Sequence, residues 1–406
     1  MELNAEKYKQ TENGLIPTNW DLKKIDSIAT VIRGASPRPK GDKRFYGGNI
    51  PRLMVEDVTR DGKYVTPSVD FLTEEGSKRS RPCKKGTLTI VCSGTVGIPS
   101  FLNVDACIHD GFLGIIDIRQ SISNDYLYYQ FVRLKEVFDK SATHGGIFTN
   151  LTTAGVKEFL VPIPKNTKEQ TAIATALSDM DILIAQTVKL IEKKKAIKQG
   201  VMQELLRPKK GWNKKKISEV YKIFKGRGLS KGKLQESGEN SCILYGELFT
   251  TYKEEINEIF GRTSFDEGVI SVKDDILFPG STTTTGADLA KASTLLHSGV
   301  QLGGDIIILR KFQTELDSLF VTYFLNCFRK NQITQLTKGI TIHHLYGKDL
   351  SDIEIEFPEY MEQIKISNTL RTFVNELNTL ENKLQKLTNQ KQGMMQALLT
   401  GKIRLV

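Results

Sequence analysis

Two short basic stretches hold the residue types that could grip a polyanion. Arg33-Gly-Ala-Ser-Pro-Arg-Pro-Lys-Gly-Asp-Lys-Arg44 offers Arg33, Arg38, Lys40, Lys43 and Arg44 in a run punctuated by Gly and Pro. Lys225-Gly-Arg-Gly-Leu-Ser-Lys-Gly-Lys233 offers Lys225, Arg227, Lys231 and Lys233 in the same style. Lys and Arg neutralise phosphates, and Arg also reads guanine edges. Ser93-Gly-Thr95 and Ser281-Thr-Thr-Thr-Thr285 supply small hydroxyls, among them Ser93, Thr95, Thr283 and Thr284, that can reach phosphate or base edges. Thr143-His-Gly-Gly-Ile-Phe-Thr-Asn150 and Thr337-Lys-Gly-Ile-Thr-Ile-His-His344 add His144, Asn150, His343 and His344. Taken as groups, these loops have the chemistry for DNA.

Charge is also focused. Residues 193–233 hold 15 Lys+Arg against two acids, Glu204 and Glu219, a local +13 that exceeds the +10 of the whole chain. A focused positive run is a better sign of a phosphate track than net charge. Enzyme motifs are missing. Gly228-Leu-Ser-Lys-Gly-Lys233 is one residue short of a P-loop and puts Leu234 where a hydroxyl must hold Mg²⁺. There is no [NDS]-P-P-[YFW] stretch, no Gly-rich strand-turn for S-adenosylmethionine and no G-x-S-x-G elbow. The five cysteines have no C-x-x-C spacing, which argues against a disulfide framework and a zinc site and suits a reducing cytosol. No catalytic centre and no metal site are expected. No run of 18 apolar residues suggests a membrane span, and the first 20 residues lack the apolar core of a secretory signal.

The loops must be positioned by something, and an internal repeat supplies it. Lys198-Gln-Gly-Val-Met-Gln-Glu-Leu-Leu206 returns as Lys391-Gln-Gly-Met-Met-Gln-Ala-Leu-Leu399, identical at seven of nine positions at an offset of 193. The same offset carries Glu169-Gln170 onto Glu362-Gln363, and 194 carries Val161-Pro-Ile-Pro164 onto Ile355-Glu-Phe-Pro358. An offset of 192 maps Trp20 onto Trp212 and Gly34 onto Gly226. Between residues 36 and 145 only scraps match, such as Gly86–Leu88 with Asp274–Ile276 and Ile118-Arg119 with Leu309-Arg310. Two copies that keep their ends and differ inside have the layout of two readers with related but distinct jobs.

The ends of each copy are helical. Ile173, Leu177, Met180, Ile184, Ile191, Lys198, Val201 and Leu205 follow a 4-3 heptad seam. Ile366, Leu370, Phe373, Leu377, Leu380, Leu384, Leu387, Lys391, Met394 and Leu398 follow the matching seam, with Lys391 repeating the polar intruder Lys198. Residues 168–206 would span about 58 Å at 1.5 Å per residue. An antiparallel intramolecular pair is expected, with a pseudo-two-fold axis and the C-terminus returning near the first module. Gly200 and Gly393 recur at one place and suggest close approach of another helix. The modules read as short strands, including Thr87–Cys92, Gly114–Ile118, Asp275–Phe278 and Asp305–Leu309, with short helices over Asp125–Val137 and Glu315–Cys327 whose aromatics are core. The fold class is α+β: two mixed α/β modules, 1–166 and 208–358, joined by long helices in 167–207 and 359–406.

This layout resembles the specificity subunit of type I restriction-modification enzymes. The resemblance is carried by Val161-Pro-Ile-Pro164, Glu169-Gln170, Ile173, Leu177 and Lys198–Leu206, by their repeat over 355–399, by the ending Leu398-Leu-Thr-Gly-Lys-Ile-Arg404 and by the opening Gly14-Leu-Ile-Pro-Thr-Asn-Trp20. The second module departs in opening with Arg207-Pro-Lys-Lys-Gly-Trp212. The resemblance implies two target recognition domains, each reading half of a split, asymmetric target on double-stranded DNA. It implies helices that act as a ruler and dock two methyltransferase (M) subunits and, through them, restriction (R) subunits. S-adenosylmethionine, ATP and Mg²⁺ would then be held by the partners and none by this chain, which would work in the cytoplasm. The alternative is a coiled-coil scaffold whose two modules bind something other than DNA.

Overall fold

The structure is a computed structural model that describes residues 7–12, 14–141, 143–145 and 148–405, with side chains described outside 136–150. The chain forms two compact units, one of residues 1–188 and 383–406, the other of residues 189–382. Each long helix is thus divided between them.

In the first unit nine strands build two sheets: β1 (Thr30–Arg33), β2 (Tyr46–Leu53), β3 (Tyr64–Val65), β4 (Asp70–Leu72), β5 (Arg81–Cys83), β6 (Leu88–Val91), β7 (Pro99–Leu102), β8 (Ala106–Ile108) and β9 (Phe112–Ile116). Their orders are β1-β9-β6-β7-β3 and β4-β2-β8-β5. Helix α1 (Asn124–Ser141) and the first part of α2 (Thr167–Leu205) follow. The second unit has β10 (Tyr221–Lys225), β11 (Asn240–Ile243), β12 (Glu255–Ile256), β13 (Gly261–Thr263), β14 (Val269–Ile270), β15 (Asp275–Pro279), β16 (Ser293–Leu295), β17 (Gln301–Leu302) and β18 (Ile306–Lys311), then α3 (Ser318–Phe324) and α4 (Tyr360–Leu398). Its sheets run β10-β18-β15-β16-β12 and β13-β11-β17-β14, the first unit's order strand for strand. In both units the same two pairings are parallel, β7 with β3 and β8 with β2, then β16 with β12 and β17 with β11.

Alternation along the strands explains the layering. A strand points successive side chains to opposite faces. On β18, Ile307 and Leu309 enter the core under the helices, while Ile306 and Ile308 enter a second core toward the smaller sheet. In the first unit Leu88 and Ile90 of β6 face the helix-side core and Val91 the other. With both faces covered, these strands read as apolar runs and not as alternating ones.

The backbone pairing corrects one internal match. Arg33 of β1 stands opposite Leu113, and Lys225 of β10 opposite Ile307. The counterpart of Leu309 is therefore Ile115, and the Ile118-Arg119 match is three residues out. Helix α3 starts at Ser318, not Glu315, because the Asp317 carboxylate caps it by accepting the Phe320 N–H at 3.0 Å. It then continues through a π-turn, Leu325–Arg329, into Lys330–Gln335. The aromatics Tyr126, Tyr129, Phe131, Phe320, Tyr323 and Phe324 are all fully buried.

The repeated motifs have structural tasks. Trp20–Lys24 pairs with Leu160–Pro164, and Asn213–Lys216 pairs with Glu354–Phe357, so the Trp segments and the Val-Pro-Ile-Pro-type segments recur together as ribbons. Gln170 donates to the carbonyls of Ser121 (3.0 Å) and Pro164 (2.9 Å) and accepts the Ser123 N–H (2.7 Å). Gln363 donates to Glu315 (3.0 Å) and Pro358 (2.9 Å) and accepts the Asp317 N–H (3.0 Å). The same buried amide thus ties the start of each long helix to the loop before each short one.

Within each unit the long helices run antiparallel. In the first, Lys391 pairs with Asp181 at 2.5 Å, while Leu398 and Leu399 share a core with Ile173 and Leu177. In the second, Lys194 pairs with Glu376 at 2.7 Å and Lys195 with Glu381 at 3.0 Å, while Met202 and Leu206 share a core with Ile366 and Leu370. None of the eighteen seam positions is exposed. The chain end lies in the first unit, where Arg404 binds the buried Glu169 carboxylate (Nη2 to Oε2, 2.7 Å), which also accepts the Trp20 indole N–H at 3.3 Å.

Lys198 is half-buried at its seam position, and its ammonium bonds Glu254 of the globular part at 2.8 Å. One expectation for the helices fails. Gly200 and Gly393 are exposed, and a Cβ at either would meet nothing within 4 Å, so among the described residues no other helix approaches them closely.

Candidate nucleic-acid interface

In the first unit, β1 delivers Arg33 and the basic loop to the edge of a cleft that the β8–β9 turn closes. The approach is tight: a Cβ at Gly34 would lie 2.0 Å from the His109 carbonyl oxygen, so only glycine fits. The cleft is lined by Ser36, Arg38, Lys40, Tyr46, Arg52 and Asp70, with His109 and Asp110 from the turn. Arg52 is 5% exposed; it donates to Asp70 at 2.5 Å and to Ser36 at 3.0 Å, with its guanidinium 5.4 Å from the Tyr46 ring. Ser36 in turn donates to Asp110 at 2.5 Å, and Arg38 reaches the same carboxylate at 3.5 Å.

Electrostatics at the turn follow from burial. Burial, then the Arg52 charge, hold the His109 pKa below its ordinary 6.5, so the ring is neutral near pH 7. His109 Nδ1 accepts the Gly111 N–H at 2.8 Å, which leaves the proton on Nε2, and that buried atom has no partner among the described residues. Burial opposes ionisation of Asp110, but hydrogen bonds from the Ser36 hydroxyl and from its own backbone N–H outweigh it and lower its pKa.

Of the expected residues, Arg33, Arg38, Lys40, Lys43 and Arg44 are exposed, and Arg38 and Lys40 line the cleft. Arg44 is held by Asp42 at 2.7 Å, and Arg33 donates to the Asp110 carbonyl at 3.2 Å. Ser93 and Thr95 follow Cys92, whose N–H bonds Gly111 and whose carbonyl accepts the Leu151 N–H. Their turn therefore lies between the cleft and the hairpin of Thr143–Gly145 with Phe148–Asn150. His144 and Asn150 are on that hairpin, and their side chains lie outside the described residues.

The second unit splits its expected residues into two groups. Lys225 pairs with Asp305 at 2.9 Å, and Ser281 donates to the same carboxylate at 3.1 Å. Burial alone would raise the Asp305 pKa; Lys225 and Ser281 reverse that and lower it. Ser281 and Thr282 pair in an antiparallel bridge with His344 and His343, which joins the hydroxyl loop to the histidine loop. Thr284 is tied to Thr282 (2.8 Å) and Asp288 (2.6 Å), and Thr283 is exposed. Arg227 and Lys233 instead line a separate cleft with Phe265, whose ring lies 3.8 Å from the Lys233 ammonium, and Lys231 is exposed beside them.

Strand register allows a position-by-position comparison of the two faces. Arg52 pairs with Asp70 and Cys107, and its counterpart Cys242 pairs with Gly261 and Gln301. A Cβ at Gly226 would meet the Gly303 oxygen at 2.0 Å, as Gly34 would meet His109, so Gly303 stands for His109 and Gly304 for Asp110. The four groups that build the first cleft are thus replaced by Cys242, Gly261, Gly303 and Gly304. Burial pushes the Cys242 thiol up to about 11, so it stays uncharged. Reading the sequence alone missed Arg52, Asp70, His109 and Asp110, which are scattered through the chain and converge only through strand pairing. It also missed Asp305, whose position just before an apolar strand marks it as a turn residue and nothing more.

Among the described residues there is no group of three or more His, Cys, Asp or Glu able to hold a metal, and no helix long and apolar enough to cross a membrane.

The profile of the type I restriction modification DNA specificity domain matches residues 17–198 and again 209–389. The MjaVIII type I restriction enzyme specificity subunit of Methanocaldococcus jannaschii is 24% identical over 436 residues, covering 98% of this chain and 96% of that protein. The MjaIX specificity subunit of the same organism is 27% identical over 246 residues, and the match spans 54% of this chain and about half, 55%, of that relative. A crystal structure of the type I restriction-modification S subunit from M. genitalium superposes with a TM-score of 0.59 at 16% identity, covering 97% of this chain and 98% of that one, a likeness of fold. Two matches to one profile, over two units with one strand order, make this chain a member of the type I restriction modification DNA specificity family with the domain present twice.

Proposed function

We propose that this specificity subunit reads a split, asymmetric target on double-stranded DNA, one half with each module. The observation that carries this reading is the pair of faces: one backbone plan, with Arg52, Asp70, His109 and Asp110 on the first exchanged for Cys242, Gly261, Gly303 and Gly304 on the second. Different side chains on one plan suit two different half-sites, since phosphate contacts position a protein and base contacts specify sequence. Exposed Arg33, Arg38 and Lys40 on one face, and Arg227, Lys231 and Lys233 on the other, would take phosphates. Joint engagement would raise affinity beyond either half alone, because the second contact forms at high effective concentration.

In this reading the long helices dock two methyltransferase subunits and, through them, restriction subunits. The partners would hold S-adenosylmethionine, ATP and Mg²⁺, and a target adenine would be flipped into a partner's pocket. The complex would act on chromosomal DNA in the cytoplasm.

A mobility-shift titration of the chain with its modification subunits tests the reading. Sequence-selective binding that weakens steeply with salt is expected. Binding indifferent to sequence and salt would favour a scaffold. The chain alone, incubated with DNA and S-adenosylmethionine or Mg²⁺, is expected to turn nothing over.

A further inference from the structure

The second unit carries a feature that phosphate binding does not use. Between Lys338 and His344 the chain makes a short finger, closed at its base by reciprocal backbone bonds: Lys338 N–H to His344 carbonyl at 2.9 Å and the reverse at 2.7 Å. His343 and His344 also pair with Thr282 and Ser281, so the finger is anchored to the hydroxyl loop. At its tip Ile340 is 96% exposed, and Ile342 is 48% exposed. Gly339 turns the chain at φ +113°, and a Cβ there would lie 1.9 Å from the Ile342 carbonyl oxygen, so the turn demands glycine.

This tip opposes ordinary turn chemistry. Turns favour Gly, Asn, Asp, Ser and Pro, yet here Ile-Thr-Ile follows the glycine. Water solvates such a tip poorly. The surroundings are polar and cationic. Lys338 and Lys348 lie 5.8 Å and 6.0 Å from the Tyr346 ring, and Lys225 borders the same cleft as His344 and Tyr346. Asp305 and Asp349 pair with Lys225 and Lys338. An apolar tip on a finger closed by backbone bonds and anchored to the hydroxyl loop suits insertion between stacked bases, while Lys338, Lys348 and Lys225 at its base are placed to meet flanking phosphates. DNA-bending proteins use apolar wedges of this kind to unstack a base step.

We propose that Ile340 is a wedge that enters one base step of the half-site read by the second module and unstacks it. This rests on the DNA reading above. The test uses the full chain with its modification subunits and a target duplex in which 2-aminopurine is scanned through that half-site. Wild type is expected to raise fluorescence at one step. Ile340→Ser should abolish that rise and weaken target binding roughly tenfold, while Ile340→Leu restores both. Because the side chain is exposed, neither change should alter thermal unfolding. A wild-type complex that binds its target with no step brightening, or an Ile340→Ser complex that matches wild type, overturns the wedge and leaves the DNA reading standing. Wild type that binds no DNA at all overturns the DNA reading first. Loss of subunit assembly without DNA in Ile340→Ser would make the finger a protein contact and also overturn the proposal.

Discussion

The two modules share every strand pairing of their main sheets yet almost none of the polar groups on their working faces. Where the first buries Arg52 between Asp70 and Ser36, the second has Cys242 beside Gly261. Where the first has His109-Asp110, the second has Gly303-Gly304, and its charge sits one position on, at Asp305. The close contacts that hold the plan are kept: Gly34 and Gly226 on the turn, Gln170 and Gln363 at the helix starts. Residues that the backbone geometry demands recur, and those that face outward or line the cleft do not.

The largest expected effect attacks the shared plan. Gly34→Ala and Gly226→Ala each force a Cβ to within 2.0 Å of a carbonyl oxygen, and each should cost about 3 kcal/mol. Trp20 and Trp212 stand one in each unit and are the chain's two tryptophans. In single-Trp variants, denaturant titration should show each glycine change lowering the midpoint of its own module. Next, Gln170→Ala and Gln363→Ala each remove three hydrogen bonds and should cost about 2–3 kcal/mol apiece. Equal costs would sharpen the equivalence of the modules, and a large inequality would break it.

Smaller effects probe the faces. Arg52→Met leaves Asp70 and Ser36 without their donor; target affinity should fall about tenfold through the first half-site only, and Arg52→Lys should not rescue it, since a point charge cannot reproduce the fork. Single changes of Arg227→Gln or Lys231→Gln should weaken binding evenly across sequences and reduce the salt slope by about 1. The smallest effect is on pH. The unfolded His109 binds a proton near 6.5 and the folded one only at lower pH. Its stabilising contribution is therefore full above that value and is lost as pH falls below 6.5 through the folded pKa. The fall in first-module stability between pH 7.5 and pH 5.5 should be smaller in His109→Gln.

Much of the plan was legible in the sequence. Heptads, the Gln of each Glu-Gln pair, the Trp and Val-Pro-Ile-Pro segments and Gly34/Gly226 repeat because local geometry fixes them. The basic loops were legible as charge, and the structure puts Arg33, Arg38 and Lys40 around one cleft. The cleft floor was not legible, because Arg52, Asp70 and His109 lie far apart along the chain and meet only when β2, β4 and β8 pair. Lys198 and Lys391 look alike in the heptads but find different partners, Glu254 and Asp181, because a long ammonium stem takes whichever carboxylate its own unit offers. The recurrence of Gly200 and Gly393 has no explanation within this chain.

The central claim is that two dissimilar faces on one plan read two different half-sites. Methylome sequencing of cells carrying a chimera, with residues 1–166 exchanged for those of a relative of known target, tests it most directly. The account predicts a split N6-methyladenine motif in which one half changes and the other half is retained. A motif altered in both halves, or in neither, would contradict it.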